Sequence, residues 1–422
     1  MISEEELKTR PFNCKYSLTT IHQSIQLVMF GLSSLRGAVH CLNIFSDSSR
    51  DKTPSHTTIQ NWILRYGLYA LRKAREHRDD WIYILDFTIE FGSRKCLVIL
   101  GITLERLRKI GFEMTHQDVT VLKIVVCSQS NGEMIRDILK DLAKETESPK
   151  QIVSDHGSDL KKGIELYCQN SKRTTYSYDI THKMAILLKH ILENDKKWQE
   201  FVQKCAYCKR KTVQSNLGFL APPKPREKSR YQNLDKFVDW AEKVLNCDKN
   251  KANVDCKKFV EYFGWLNDFQ KELKEWRKFL EIIRIGKYEV KKCGLNSKNA
   301  NNFRKKVTKL NVRSKRGKQL IRNIYDFLNE QSERIPKGES LLGTSDIIES
   351  IFGKYKNFTA RTTMKGVGKL LLTIPTFTSH LTFERIKEAT ESISVKDLTN
   401  WINDVVGNSF FSKRKNALAA IK

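Results

Sequence analysis

The sequence predicts an α/β fold in which a mixed β-sheet is covered by helices. The first observation is a pair of β-favouring runs, residues 81–90 and 95–101, joined by turn-forming residues 91–94. This pair predicts a hairpin. The second observation is the order that follows: a strand over 119–127, a helix over 131–145, and strands over 151–154 and 175–180, each followed by a helix. Three antiparallel strands extended through helical crossovers form a mixed sheet.

The charge of the chain indicates a polyanionic partner. The 422 residues carry a formal net charge of +27, and the sequence pI is about 9.6. Basic surface releases counterions from phosphates on binding, which favours nucleic acid. A membrane surface or a generally basic proteome is the alternative explanation. No apolar run reaches the ~18 residues of a membrane-spanning helix, so we expect no membrane partner.

Cysteine usage and the first residues favour a cytoplasmic protein with reduced thiols. Ten cysteines are scattered over the long chain, unlike the dense cysteines of a small disulfide scaffold. The acidic start has neither the basic residues nor the apolar core of a signal peptide. Cys205 and Cys208 alone have metal-like spacing, and we expect core thiols there in preference to a zinc site.

Residues 1–78 are predicted to form an N-terminal helical DNA-binding domain. Between positions 54 and 67, apolar residues repeat at helical spacing after a proline and before a glycine, which predicts a helix with one buried stripe. Its opposite face carries polar groups suited to base edges and phosphates, namely His56, Thr57, Gln60, Asn61 and Arg65. The second helix of a helix-turn-helix has this pattern. An ordinary helical hairpin is the alternative interpretation.

Residues 200–340 are predicted to form a basic α-helical insertion. The strand patterns disappear, and residues 201–340 carry 34 Lys and Arg against 16 Asp and Glu. The aromatic residues of this block predict the core of a helical subdomain. One face is dense enough in cations to predict phosphate contacts, although a solvated surface is the alternative. Its residues are Arg304, Lys305, Lys306, Lys309, Arg313, Arg316 and Lys318.

Three acids are candidates for one metal site. Asp86 interrupts an apolar strand, and Asp155 follows the strand over 151–154. If these strands are neighbours, as in an RNase H-like sheet, the two carboxylates lie side by side. Glu349 lies one turn into a capped helix that we expect to pack across the sheet edge. Such hard oxygen ligands suit Mg²⁺ or Mn²⁺, and two such ions support in-line phosphoryl transfer.

Each acid also has a structural interpretation. Asp86 is then a satisfied acid within a strand, and Asp155 a turn or cap residue. Glu349 is then a solvent-facing helix residue, with Asp346 or Asp179 as the third ligand. The predicted strand order favours the catalytic interpretation, because it brings the first two acids to the same edge.

The segments around these acids resemble the acid triad of bacterial insertion-sequence transposases, the DDE class of the RNase H/retroviral integrase superfamily. The segments are Leu85-Asp86-Phe87-Thr88, Val153-Ser154-Asp155-His156-Gly157 and Ser345-Asp346-Ile347-Ile348-Glu349. The resemblance implies a divalent-metal requirement and the cleavage and transfer of double-stranded DNA at the ends of a mobile element. The implied partners are terminal inverted repeats, target DNA and a second copy of the chain, since two ends must be held.

The resemblance also bears on residues after the second acid. The segment Tyr178-Asp179-Ile180-Thr181-His182 is similar to the family's Asp or Cys followed by His, which implies a role for His182 at the scissile phosphate. A helix-start histidine without chemistry is the alternative. The 194 residues from Asp155 to Glu349 (349 − 155) exceed the bare fold and imply the helical insertion.

The helix around Glu349 departs from the family pattern in part. Many insertion-sequence enzymes place a Tyr and an Arg before the Glu, where this chain has Leu342 and Ser345. They place a Lys six residues after it, where Lys354 and Lys356 flank the position. We therefore expect these two lysines to contact DNA, while the transposase group stays open.

The predicted domains are 1–78, a catalytic part over 79–199, the insertion over 200–340, the Glu helix over 341–375 and a basic helical tail over 376–422. The leading hypothesis is a bacterial, nucleoid-associated DNA transposase. The alternatives are an RNase H-like nuclease without strand transfer and a catalytically inactive, transposase-derived DNA-binding protein.

Overall fold

The computed structural model describes residues 9–45, 52–89, 94–171, 173–224, 233–247, 255–361, 368–407, 414 and 417–419. The chain divides into two compact units. The first contains residues 1–177 and 344–422, and the second contains residues 178–343. The chain therefore leaves the first unit after the sheet and returns to it just before Glu349.

A five-stranded mixed sheet forms the centre of the first unit. Its strands are β1 (Trp81–Ile89), β2 (Lys95–Thr103), β3 (Thr120–Cys127), β4 (Gln151–Ser154) and β5 (Thr175–Tyr178), in the order β3-β2-β1-β4-β5. β1 pairs antiparallel with β2 and parallel with β4, and β2 pairs antiparallel with β3. This confirms the predicted mixed sheet and is compatible with an RNase H-like architecture. Of the predicted turn, residues 91–93 lie outside the described residues.

The helices of the first unit lie before, between and after the strands. They are α1 (Leu18–Met29), α2 (Leu35–Phe45), α3 (His56–Arg72), α4 (Leu104–Lys109), α5 (Gly132–Thr146) and α6 (Ser158–Asn170), followed after the second unit by α14 (Asp346–Ala360), α15 (Thr373–Thr378), α16 (Phe383–Ser392) and α17 (Val395–Trp401). Ile402–Val406 continues α17 as a π-helical turn. Within the described part of the chain, no helix is both long and apolar enough to cross a membrane.

The two faces of the sheet have different roles. Trp81, Tyr83 and Leu85 of β1 share one core with buried residues of α5 and α6. Because side chains alternate along a strand, Asp86 points to the opposite face. Helix α14, which carries Glu349, packs against β1. Successive side chains of β1 therefore point alternately to the core on one face of the sheet and to the candidate site on the other.

Helix α3 has the predicted buried stripe but is longer than predicted. Ser55 caps its start by accepting a hydrogen bond from the Thr58 amide, and the helix continues past Gly67 to Arg72. The prediction that Gly67 ends the helix is wrong. A Cβ atom at this position would lie 1.8 Å from the carbonyl oxygen of Leu372, so the glycine allows a close approach of two backbones.

The C-terminal helices pack on the N-terminal region. Helix α3 contacts α15, α16 and α17 as well as α1 and α2. Residues that are hundreds of positions apart thus share one core, and α3 is covered by the end of the chain. Of the basic segment predicted near the C-terminus, Ser412, Lys413 and Lys415 lie outside the described residues.

The second unit is helical, as predicted for most of this region. Its helices are α7 (Ile180–Leu192), α8 (Lys196–Thr212), α9 (Leu234–Leu245), α10 (Cys256–Phe263), α11 (Gln270–Cys293), α12 (Asn299–Thr308) and α13 (Lys315–Glu333). Its core is aromatic: Trp276 is fully buried, and its ring centroid lies 5.1 Å from that of Trp198 and 5.0 Å from that of Phe201. The unit begins at residue 178, so α7 and all of α8 belong to it.

Candidate carboxylate site at the sheet edge

The register of two parallel strands places Asp86 next to Asp155. The last paired residues of β1 and β4 are Leu85 and Ser154, and each acid follows its paired residue directly. Neighbouring strands lie about 4.8 Å apart. The two carboxylates therefore leave adjacent strands at the same edge of the sheet.

Glu349 reaches this edge on α14. The buried residues Ile348, Ile351, Phe352 and Tyr355 anchor the helix, and Glu349 is exposed in its first turn. Its charge acts on Asp86, since it contributes to raising the pKa of that carboxyl. All three acids belong to the first unit.

Asp86 is held in an environment that disfavours its anion. Burial raises the pKa of Asp86 to about 7, and the charges of Asp155 and Glu349 act in the same direction. A hydrogen bond of 2.7 Å from the Phe87 amide to Asp86 Oδ1 and the charge of Lys356 oppose the shift. Burial and like charges together produce such shifts, and a bound cation would relieve both causes.

Asp155 combines the predicted site position with a turn role. Its Oδ1 accepts a hydrogen bond of 3.1 Å from the Gly157 amide, directly before α6. The turn interpretation and the site interpretation are thus compatible, because a carboxylate has a second oxygen.

The donor set fits a hard divalent cation, although the described side chains are not gathered around one. Carboxylate oxygens are the ligands that Mg²⁺ and Mn²⁺ prefer, and the pKa of Asp86 is raised first by burial and then by the charge of Asp155. Over the described ranges, no three His, Cys, Asp or Glu side chains converge closely enough to hold a metal ion. The acids share an edge but do not form a closed cage.

Two other predicted participants lie in the second unit. Asp179 is buried and caps α7 by accepting hydrogen bonds from the Thr181 and His182 amides, the latter of 3.1 Å. The His182 ring lies 5.9 Å from that of Tyr178. The cap accounts for Asp179 structurally, and the catalytic role of His182 stays a prediction.

Helix α14 also carries the two predicted lysines. Lys356 is exposed two turns after Glu349, and its charge lowers the pKa of Asp86. Lys354 is half-buried, with its ammonium 5.9 Å from the centre of the Phe377 ring. Of the two, Lys356 is therefore the one whose charge acts on the acids.

Sequence reasoning missed one contact to this helix. The His116 Nε2 atom lies 2.9 Å from the Ser350 hydroxyl, which ties the turn before β3 to α14 beside Glu349. Burial, followed by the charge of Lys354, lowers the pKa of His116. No sequence signal indicates this pair, because the two residues are 234 positions apart.

The predicted DNA-binding face of α3 is only partly available. His56 and Thr57 are exposed, and Gln60 and Asn61 are half-buried. The Arg65 guanidinium instead donates hydrogen bonds to the carbonyl oxygens of Thr390 and Ile393, at the end of α16. This engagement gives Arg65 a structural role, and its predicted DNA contact is not supported.

The residues of the predicted basic face of the second unit also fall into two groups, exposed cations and cations that form ion pairs within the unit. Arg304, Lys305, Lys309, Arg313 and Lys318 are exposed. Two members form ion pairs within the unit: Lys306 pairs with the buried Glu289, and Arg316 pairs with both Asp195 and Glu275. These two cations hold helices together, and their predicted phosphate contacts stay a prediction.

The cysteine pair has the character of core thiols. Cys205 and Cys208 are buried and free on α8. Burial raises the pKa of the Cys208 thiol to about 11 and also raises that of Cys205. Among the described residues, no group of three or more His, Cys, Asp or Glu side chains that could hold a metal ion includes this pair.

Comparisons with known proteins find a likeness among solved structures. No protein-family model matches the chain, and no curated protein matches it. Among solved structures, the chain is similar to the Drosophila P element transposase strand transfer complex, at 12% identity and a TM-score of 0.39. The match covers 90% of this chain and 93% of that chain. A likeness at this level assigns neither a fold nor an activity by itself.

Proposed function

We propose that this protein is a DNA transposase of the DDE class, which cuts and joins the ends of a mobile element. The observation that carries the proposal is the placement of Asp86 and Asp155 directly after the paired residues Leu85 and Ser154. The charge of Glu349, on a helix packed against β1, acts on the same carboxyl. The proposal includes the insertion-sequence group and a cytoplasmic, nucleoid-associated location.

Asp86, Asp155 and Glu349 are the proposed ligands of Mg²⁺ or Mn²⁺. When bound, a pair of these ions activates the attacking hydroxyl and stabilises the leaving oxygen of the phosphodiester. Asp86 contributes a half-buried carboxylate, which must be deprotonated to bind a cation. The Phe87 amide orients this carboxylate through its hydrogen bond to Oδ1.

Lys356 and the exposed polar residues are the proposed DNA contacts. Lys356 lies close enough to the acids to influence Asp86, a position suited to a phosphate next to the scissile bond. His56 and Thr57 at the start of α3, and the exposed cations between Arg304 and Lys318, provide polar surface on each unit. Phosphate contacts of this kind position DNA but do not read its sequence. The proposed assembly is a homodimer that holds two terminal inverted repeats and target DNA.

Incubation of the full chain with duplexes from the DNA that flanks its gene tests the proposal. We expect strand cleavage and joined products with Mg²⁺ or Mn²⁺, and neither product with EDTA. Cleaved ends without joined products would contradict transposition and indicate a nuclease. DNA binding without turnover in either metal would contradict catalysis and indicate a DNA-binding protein.

A further inference from the structure

A second polar site lies at the end of the sheet opposite the carboxylates. A cleft of about 450 Å³ opens where β1 begins at Trp81 and β2 ends at Thr103, with the last part of α3 as one wall. Asp86 lies five residues further along β1, roughly 16 Å of extended chain. The cleft is therefore separate from the carboxylate site, and its lining residues all belong to the first unit.

The walls of the cleft carry an excess of positive charge. Six cationic side chains line it: Lys73, Arg75, Arg78, Arg106, Lys109 and Arg385. The lining carboxylates are Glu76 and Glu105. The cations come from the segment after α3, from α4 and from α16, so the tertiary fold assembles them and no single basic run does.

Two of the arginines are already neutralised and form a fixed wall. Arg78 forms ion pairs with Asp80 at 2.8 Å, Glu105 at 2.6 Å and Glu76 at 3.2 Å. Arg106 pairs with Asp118 at 2.6 Å. Arg78 thus pairs with both of the lining carboxylates. The four cations other than Arg78 and Arg106 therefore have no lining carboxylate as a partner.

Arg75 is the most informative of these four. Its Nη2 donates to the carbonyl oxygens of Ala70 at 3.0 Å, Leu71 at 3.2 Å and Val121 at 2.8 Å. Burial lowers the pKa of Arg75, and Glu145 is the carboxylate that opposes this effect. Backbone carbonyls hold the guanidinium in place but do not neutralise it. A half-buried, fixed cation of this kind favours an anionic ligand.

The remaining cations stand at the opening of the cleft. Lys73 and Lys109 are exposed and form no ion pair with any residue that the structure describes. Arg385 donates to the His380 carbonyl oxygen at 3.4 Å, and its charge acts on the Tyr66 hydroxyl. Glu388 on the same helix accepts a hydrogen bond from the Tyr69 hydroxyl.

We infer that this cleft binds a phosphate group, carried either by a nucleotide or by the backbone of DNA. Phosphate offers several charge-assisted acceptors at once, which suits cations that converge from three segments. The cleft is large enough for the phosphate and sugar of one nucleotide. The inference does not depend on the carboxylate site, because no metal and no turnover are required.

Binding by the full-length double variant Lys73→Ala/Lys109→Ala tests the inference. Inorganic phosphate and AMP are titrated calorimetrically, and a 20-bp duplex is titrated by fluorescence anisotropy over a range of salt concentrations, all in EDTA. We expect binding to weaken about tenfold or more. For the duplex, the slope of log K against log salt should fall by about 2. Lys140→Ala/Lys396→Ala is the matched control, since both lysines are exposed on other helices.

The probes distinguish the two sources of phosphate. Weaker binding of AMP and phosphate assigns the cleft to a free nucleotide, and weaker binding of the duplex alone assigns it to the DNA backbone. Unchanged binding of all three probes would overturn the inference, as would an equal loss in the control. Arg385→Gln, which keeps polarity at the opening, gives a second variant if the double variant does not fold.

Discussion

Asp86 and Asp155 each lie one residue beyond the last pair of the parallel β1–β4 ladder. Asp86 follows Leu85, and Asp155 follows Ser154. The two acids are 69 positions apart (155 − 86), and the described residues between them form three strands, two helices and a 3₁₀ turn, yet the register places them on neighbouring strands. This relationship allows the acids to be tested as a set.

Substitutions at Glu349 and at Asp346 distinguish between these two candidates for the third metal ligand. Glu349→Gln should reduce metal-dependent DNA cleavage by more than about a hundredfold, because even outer partners of metal ligands contribute 10- to 100-fold. Asp346→Asn, one turn earlier on the same helix, should retain cleavage. Cleavage of labelled duplexes measures both, and anisotropy should show DNA binding preserved. The opposite pattern would move the third ligand to Asp346.

Asp86→Asn should stabilise the metal-free protein, and more so at pH 8 than at pH 5. The pKa of Asp86 rises from 3.8 to about 7 on folding, so between these values the folded state prefers the protonated acid. The cost of ionising it is then fully present above pH 7 and amounts to at most about 4 kcal/mol. Thermal unfolding in EDTA at both pH values measures the effect.

The control for this prediction is Asp326→Asn, at an exposed site on α13. It should change the melting temperature little at either pH. A loss of stability in Asp86→Asn at pH 8 would show that the carboxylate is better satisfied than the structure indicates.

Gly67→Ala should destabilise the first unit, whereas Gly353→Ala should not. The added Cβ at Gly67 would lie 1.8 Å from the Leu372 carbonyl oxygen. Because a backbone must move, we expect a loss of about 3 kcal/mol, the upper end for overpacking. Gly353 is exposed inside α14 with no atom within 4 Å of an added Cβ, and alanine there should gain roughly 0.5–1 kcal/mol. Urea unfolding measures both.

The two ends of the polar face of α3 should respond differently to mutation. His56→Ala/Thr57→Ala removes exposed groups and should weaken DNA binding without a change in melting temperature. Arg65→Ala leaves the carbonyl oxygens of Thr390 and Ile393 without their donor and should cost about 1–3 kcal/mol of stability. Anisotropy and thermal unfolding on each variant separate the effects. Weaker DNA binding at full stability in Arg65→Ala would restore its predicted contact.

The strands β1 and β2 and the start of helix α3 were predictable because the patterns that indicate them extend over only a few neighbouring residues. Runs of β-favouring residues predicted β1 and β2, and apolar residues at helical spacing after a proline predicted the start of α3. The end of that helix was not predictable. Glycine after a periodic stretch ordinarily indicates a helix end, but here it makes room for Leu372, which lies 305 positions later (372 − 67).

The roles of the basic residues show the same limit. Density of charge indicated a phosphate-binding face over 304–318, but it does not show which cations meet an acid of the same unit. Arg316 forms an ion pair with Asp195, which is 121 positions away, and Lys306 forms one with the buried Glu289. The cleft around Arg75 escaped sequence analysis entirely, since its cations are scattered over more than 300 positions.

The sequence by itself determined the order of strands and helices, the excess of cations and the identity of the three acids. These follow from periodicity, turn residues and residue type, which act over a few positions. Only the tertiary structure decided the register that places Asp86 next to Asp155, the hydrogen bonds from Arg65 to the end of α16, and the cationic cleft around Arg75. Each of these depends on long-range packing, which brings together residues that no local pattern relates.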